Sequence, residues 1–417
     1  MEGGQPGCMN SSSDFFYDPY RYFRWCRRKP KTAENAEESQ RTQRKSDSCT
    51  ASGTLKNGVL QNSAWLKGDG VGLEVIEGRY LQDILDQASA LRDTLAGLDR
   101  PSRLMQLVDS LGHGDIQRVV LTGMGSSFHA LHPLHLQLIS SGFGSMMVET
   151  SELVQYQTRL LDSKSLLIAV SQSGQSAETV RLLELNRHAS PVIAVTNNSD
   201  STLANQSQVA LVTRAGSEYS VSCKTYVTTL MMLKWLGDAL CGGSAEQSRR
   251  ELENSVSLGS TYLSNWRSHV EELASRMQGI SDLFVVGRGA SLAAVGAGAL
   301  IAKESAHFHA EGMSSAAFRH GPFEMLSRKI FVAVFSGDDK TRALNQRLCS
   351  DIRESGGDAE LIGEDSGLRS FRLAEYGSDI RPILEILPLQ MVTIALAALA
   401  GREAGKFERA TKVTTIE

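Results

Sequence analysis

Along this chain, short apolar runs alternate with longer stretches in which apolar residues recur every three or four positions. The first regular stretch covers residues 80–98, where Leu81, Ile84, Leu85, Ala88, Leu91, Leu95 and Leu98 form a helical stripe. Strand-like runs follow at 118–121, 146–148, 166–170, 192–195 and 209–212. Helical stretches lie between most of them, and residues 224–240 close the unit with a helix. Near-continuous apolar strands separated by helices predict a parallel sheet with both faces covered. Residues 250–277 read as one long linking helix. The alternation then restarts, with strand-like runs at 283–286, 330–335 and 359–362. The longest apolar stretch near the C-terminus, residues 383–400, is interrupted by Glu385, Pro388 and Gln390, which predicts a buried helix rather than a membrane span.

The two halves echo each other. Val119-Val120-Leu121-Thr122-Gly123-Met124-Gly125-Ser126-Ser127 matches Leu283-Phe284-Val285-Val286-Gly287-Arg288-Gly289-Ala290-Ser291. Both read as strand, Gly-x-Gly, small residue, serine, helix, as expected for duplication of one α/β unit. The expected division is residues 76–245, a linker at 246–280, and residues 281–417. Phe128 and Leu292 stand where a dinucleotide-binding loop needs its third glycine, which argues against a nicotinamide enzyme. Residues 1–75 differ from the rest. An aromatic and basic segment at 15–28 precedes a polar one at 29–62, with no apolar core of a signal peptide. They are expected to form a disordered leader. The alternative is an arm that docks on a protein partner through its aromatics, or on anionic surfaces through its arginines.

Composition narrows the class. A length of 417 residues allows two or three domains, and 41% hydrophobic with 22% charged residues is ordinary for a soluble globular protein. A net charge of -4 and a pI near 6.2 give no drive toward nucleic acid or a membrane. Six scattered cysteines without a CxxC pair argue against a disulfide framework or a zinc site, and fit a reducing cytoplasm.

The densest chemical signal is Ser171-Gln172-Ser173-Gly174-Gln175-Ser176, between an apolar strand and a helical stretch. Hydroxyls around a glycine at a helix N-terminus suit a phosphate, because free N–H groups and the helix dipole point at it. A serine-rich turn with an N-cap is the plainer reading of that loop alone. Ser126-Ser127 forms a second such loop. In a parallel sheet both fall at the C-terminal ends of the strands, where ligands bind. Neither loop carries a lysine, so this is no Walker loop. In the second half, Glu304 on an alanine-rich helix is a candidate general base with a raised pKa, or else a surface carboxylate paired with Lys303. His320, before Gly321-Pro322, is a candidate for chemistry or a helix-capping loop residue. His129, His132, His135 and His307 read as packing or interface residues, with no metal site among them.

Gly-x-Gly-Ser-Ser, then Ser-Gln-Ser-Gly-x-[ST]-x-[DE]-Thr, then Ala215-Gly216-Ser217-Glu218 resembles the sugar isomerase (SIS) domain. Two such domains in tandem, ending in Lys412-Val413-Thr414-Thr415-Ile416-Glu417, are similar to the isomerase half of glucosamine-6-phosphate synthase, over about residues 76–417. The resemblance implies an α/β fold of two tandem SIS domains, each a parallel sheet flanked by helices. It implies that Ser127, Ser171, Gln172, Ser173 and Ser176 hold a sugar phosphate and that Val221 and Cys223 line the sugar. Glu304 would shuttle a proton between C1 and C2, His320 would assist ring opening, and Lys412 would form a Schiff base with the ketose. Glu311 would support the site. No cofactor is implied, and a homodimer is expected. The sequence departs from the synthases in several places. Glu2 stands where their glutaminase nucleophile is a cysteine, and the leader is too short for that domain. Ile301 replaces a lysine, Cys223 a serine, and the next pair reads Lys224-Thr225. The expected function is a cytoplasmic isomerase or deaminase of an amino-sugar phosphate such as glucosamine 6-phosphate, since free ammonia is dilute. The alternatives are synthesis with ammonia from a partner, and a non-catalytic sugar-phosphate sensor.

Overall fold

The computed structural model describes residues 73–375, 377, 380–409, 411 and 412. The expectations for residues 1–72 and 413–417 lie outside the described residues. Strands β1 (Arg118–Gly123), β2 (Ser145–Glu149), β3 (Ser165–Val170), β4 (Val192–Thr196) and β5 (Val209–Val212) form one sheet in the order β2-β1-β3-β4-β5. Strands β6 (Asp282–Gly287), β7 (Ala310–Ser314), β8 (Ile330–Phe335) and β9 (Asp358–Ile362) form the second, in the order β7-β6-β8-β9. Every pairing in both sheets is parallel.

The period-two alternation of a strand explains how the layers join. Val119 and Leu121 of β1, Leu166 and Ile168 of β3, and Leu283 and Val285 of β6 face one large core shared by both halves. Their neighbours Val120, Leu167 and Ala169 face a smaller core on the far side of the first sheet. Phe284 and Val286 do the same for the second sheet. Strands apolar on both sides are therefore required, and the sequence supplies them. In each sheet the strand order reverses between the first strand and the third, β1 and β3 or β6 and β8. That reversal opens a crevice at the carboxyl ends of those two strands.

Three elements differ from the sequence pattern. The stripe over 80–98 is broken at Asp86 into helices Arg79–Leu85 and Gln87–Ala96. The linker is two helices, Ala245–Leu263 and Trp266–Arg276, because the chain turns at Ser264 and Asn265. Strand β7 was missed: its Ala310-Glu311-Gly312 start is short, has little β-propensity and lies at a sheet edge. The C-terminal apolar run forms helix Arg381–Leu399. It is long and apolar enough to cross a membrane by length and composition, but 89% of its apolar window is buried in the protein. The polar residues that interrupt it find partners inside. Gln390 and Gln87 exchange side-chain hydrogen bonds of 2.8 and 3.1 Å, and the Ser291 hydroxyl donates to Glu385 at 2.9 Å.

Candidate functional site

The two serine-bearing loops follow β1 and β3, the strands that flank the crevice of the first sheet. After β3 the chain turns through Gly174, at φ +63°, and runs into helix Ala177–Asn186. A Cβ on Gly174 would also sit 2.2 Å from Ser201 Oγ, so the turn needs glycine twice over. The loop is held by its own hydroxyls. Ser171 Oγ accepts from the Gly174 N–H at 3.1 Å, and Ser173 Oγ accepts from the Gln175 N–H at 3.2 Å. Because both oxygens accept from the backbone, their own hydrogens remain to be donated to a ligand. Ser176 caps the helix, accepting from the Thr179 N–H at 3.4 Å.

These loops form one wall of a cavity of about 360 Å³. Ser127, Ser171, Gln172, Ser173 and Ser176 all line it. Further lining comes from three other places: Val221 on the loop after β5, Glu304 on helix Leu292–Ala306 of the second half, and Lys412 near the chain end. The terminal segment is fastened over the cavity. The Gly405 N–H donates to Ser305 O at 2.9 Å, and the Ser220 hydroxyl donates to Gly405 O at 2.6 Å. Gly405 has φ +76°, and a Cβ there would lie 2.5 Å from the Cβ of Tyr80, so the segment approaches this closely only as glycine. Phe407 then reaches the cavity wall.

Burial drives the electrostatics. It pushes the Glu304 carboxyl from its ordinary 4.5 up to about 7, with the positive charges of Lys303 and Lys412 pulling back. Glu304 thus exchanges a proton near neutrality. The Lys412 ammonium donates to Glu218 Oε2 at 2.8 Å and to Ser220 O at 3.1 Å. Beside the serine loops the lining carries hydroxyl and amide groups together with the Glu178 carboxyl.

Other sequence-singled residues lie elsewhere. Cys223 is fully buried and does not line the cavity. Its thiol faces Glu218, with Sγ 3.5 Å from Oε1, and burial raises its pKa well above the ordinary value. Cys223 thus lies behind the loop that carries Val221 rather than on the cavity wall. His320 is exposed at the C-terminal end of helix Ser315–Arg319, outside the cavity. Glu311 is exposed on β7, 3.8 Å from His309 Nε2. Ile301 is buried in the shared core. Lys224 is paired with Asp83 at 2.8 Å, and Thr225 donates to Glu218 at 2.6 Å, so that reversed pair serves the loop's architecture. Among the described residues no group of three or more His, Cys, Asp or Glu side chains is placed to hold a metal ion.

The sequence reading missed Ser220, Ser222 and Phe407 at the wall, and gave no role to two carboxylates of the quoted motifs, Glu178 at the wall and Glu218 beside Lys412. The hydroxyls after β5 carried a signal, since they fall on the same sheet edge as the two serine loops. Phe407 carried none.

The cavity therefore brings hydroxyl and amide donors together with a carboxyl that titrates near neutrality and an ammonium. Residues 115–237 match the SIS domain. The chain is 30% identical over 354 residues to a glutamine–fructose-6-phosphate aminotransferase (isomerizing) of Pyrococcus horikoshii, covering 81% of this chain and 57% of that protein. The same enzyme of Idiomarina loihiensis is 27% identical over 387 residues, covering 84% of this chain and 63% of that protein. The chain thus spans somewhat over half the length of these relatives. Two solved structures share the fold. The C-terminal domain of glucosamine-fructose-6-phosphate aminotransferase from Francisella tularensis has a TM-score of 0.70 at 20% identity, covering 79% of this chain and 98% of that one. Glucosamine-6-phosphate deaminase from Thermotoga maritima has a TM-score of 0.68 at 17% identity, covering 81% and 100%. Residues 115–237 match the SIS domain, and the chain is similar over most of its length to a little over half of the isomerizing glutamine–fructose-6-phosphate aminotransferases.

Proposed function

We propose that this protein is a phosphosugar isomerase or deaminase acting on an amino-sugar phosphate such as glucosamine 6-phosphate, interconverting aldose and ketose with release of ammonia. The observation that carries this reading is that one cavity is lined by phosphate-type donors together with Glu304 and Lys412. Ser127, Ser171, Gln172, Ser173 and Ser176 hold the phosphate and so fix C6. Glu304 moves a proton between C1 and C2, a task suited to a carboxyl that titrates near 7. The Lys412 amine condenses with the ketose carbonyl. His320 is exposed on this chain, and in this reading it assists ring opening in the cavity of a second copy, as part of a homodimer. Residues 281–417 are a second, diverged SIS unit. The order β7-β6-β8-β9 repeats β2-β1-β3-β4, which supports this.

The test is incubation with glucosamine 6-phosphate, with ammonia and fructose 6-phosphate as readouts, and the reverse reaction with ammonium. Ammonia release is expected, and net release is favoured where ammonia is dilute. Glu304→Gln should abolish turnover while ligand binding stays close to wild type. Absence of turnover on amino-sugar phosphates in both directions would refute the proposal.

A further inference from the structure

Glu218 has no exposed side-chain surface, whereas its partner Lys412 keeps 22%. Its carboxylate is nonetheless fully engaged. Oε1 accepts from the backbone N–H of Cys223 at 3.0 Å and of Thr225 at 2.9 Å. Those groups open helix Lys224–Leu240, where the positive end of the helix dipole favours an anion. Oε2 accepts from the Thr225 hydroxyl at 2.6 Å and from the Lys412 ammonium at 2.8 Å. Two residues further on, Ser220 binds the same terminal segment through its hydroxyl to Gly405 O and its carbonyl to Lys412. The loop at 218–220 is thus a receiver for the chain end.

We infer that Glu218 is the counter-ion and positioning residue for Lys412. It holds the Lys412 amine at the cavity wall and keeps the terminal segment closed. This rests on the reading of Lys412 as the condensing amine. In that step the ammonium nitrogen gives up one proton, its lone pair forms a bond to the ketose carbonyl carbon, and a second N–H proton passes to the carbonyl oxygen. The resulting hydroxyl takes up a proton and leaves as water, and the nitrogen keeps one hydrogen as a protonated imine. Ammonium plus carbonyl gives iminium plus water, with one positive charge on each side. The charge facing Glu218 is the same before and after, so a fixed carboxylate serves both states without reorganisation. Three neutral donors and a helix terminus orient that carboxylate, so it cannot turn away when the lysine becomes covalently loaded.

The full-length chain tests this through two separate readouts. In the first, Glu218→Gln keeps an oxygen for the Cys223 and Thr225 N–H groups but removes the charge. With fructose 6-phosphate and cyanoborohydride, adduct on Lys412 measured by mass spectrometry should fall at least tenfold, and kcat with it. The dissociation constant for inorganic phosphate should stay within about twofold. Adduct yield equal to wild type in Glu218→Gln, with none in Lys412→Met, overturns the role of Glu218 and leaves the lysine reading intact. Wild-type turnover in Lys412→Met refutes the lysine reading itself, and the inference with it. The second readout keeps Glu218 unaltered and needs no chemistry. Lys412→Met strands a buried carboxylate, so Tm should fall and the terminal segment should become cleavable by protease. Lys412→Arg keeps the pair and should keep both near wild type, while forming no adduct. A Tm unchanged in Lys412→Met overturns the inference even if Glu218→Gln does not fold.

Discussion

Replacing Glu304 by glutamine should make the protein more stable at alkaline pH, even as it removes the proposed base. The folded protein holds this carboxyl's proton up to about 7, against 4.5 for the ordinary group. The unfolded chain therefore loses the proton first. Between pH 4.5 and 7 the folded state binds more protons than the unfolded state, so this group's effect on stability becomes increasingly unfavourable as pH rises. Above about 7 the penalty is complete. At roughly 1.4 kcal/mol per pH unit, the gap corresponds to an upper limit of about 3.5 kcal/mol. The side chain opens onto a solvent-accessible cavity, and screening there reduces the expected gain to about 1–3 kcal/mol. Glutamine has nearly the same shape and cannot ionise. Urea unfolding of both proteins at pH 4.5 and pH 8 measures the difference. The two should coincide at pH 4.5, and Glu304→Gln should be the more stable at pH 8. Equal stabilities at both pH values, or a variant weaker at pH 8, would show that burial does not strain this carboxylate.

Further outcomes follow from the same geometry. If Glu304 acts as the base, kcat/KM should rise about tenfold per pH unit below about 7 and level off above it; a profile flat from pH 5 to 8 speaks against it. Ser173→Ala should weaken phosphosugar binding by about 1.5–3 kcal/mol, the loss of a hydrogen bond to a charged group, measured by calorimetry. Unchanged affinity would move the phosphate to another wall. Gly174→Ala places a side chain at φ +63° and 2.2 Å from Ser201 Oγ, and should cost about 2–4 kcal/mol by thermal or denaturant unfolding. A variant of wild-type stability would mean that the turn relaxes at little cost.

Much of the site was legible because its chemistry is local. Ser171 to Ser176 lies between a buried strand and a helix, so six consecutive residues carry both the donors and the geometry that aims them. Glu304 was legible as a carboxylate on an otherwise apolar helix, since such a group is forced into a special environment. Cys223 shows the limit. Its neighbour Val221 faces the cavity while its own thiol turns back to Glu218, and no residue spacing in an irregular loop fixes which way a side chain points. The break at Asp86 and the turn at Ser264 and Asn265 were illegible for a related reason. Helical periodicity continues across them, and only packing decides where the axis bends.

The sequence by itself determined the class of fold and the hydroxyl-rich loops, because strand and helix periods, turn glycines and N-caps are properties of short segments. Tertiary structure alone decided that β1 and β3 are neighbours on either side of the crevice, so that two distant serine loops share one wall. It alone brought Glu304 and Lys412, more than a hundred residues along the chain, to the same cavity, and set Glu218 beside the lysine. Those placements depend on burial of two sheets against one common core. That is a cooperative property of the whole chain, and no local pattern encodes it.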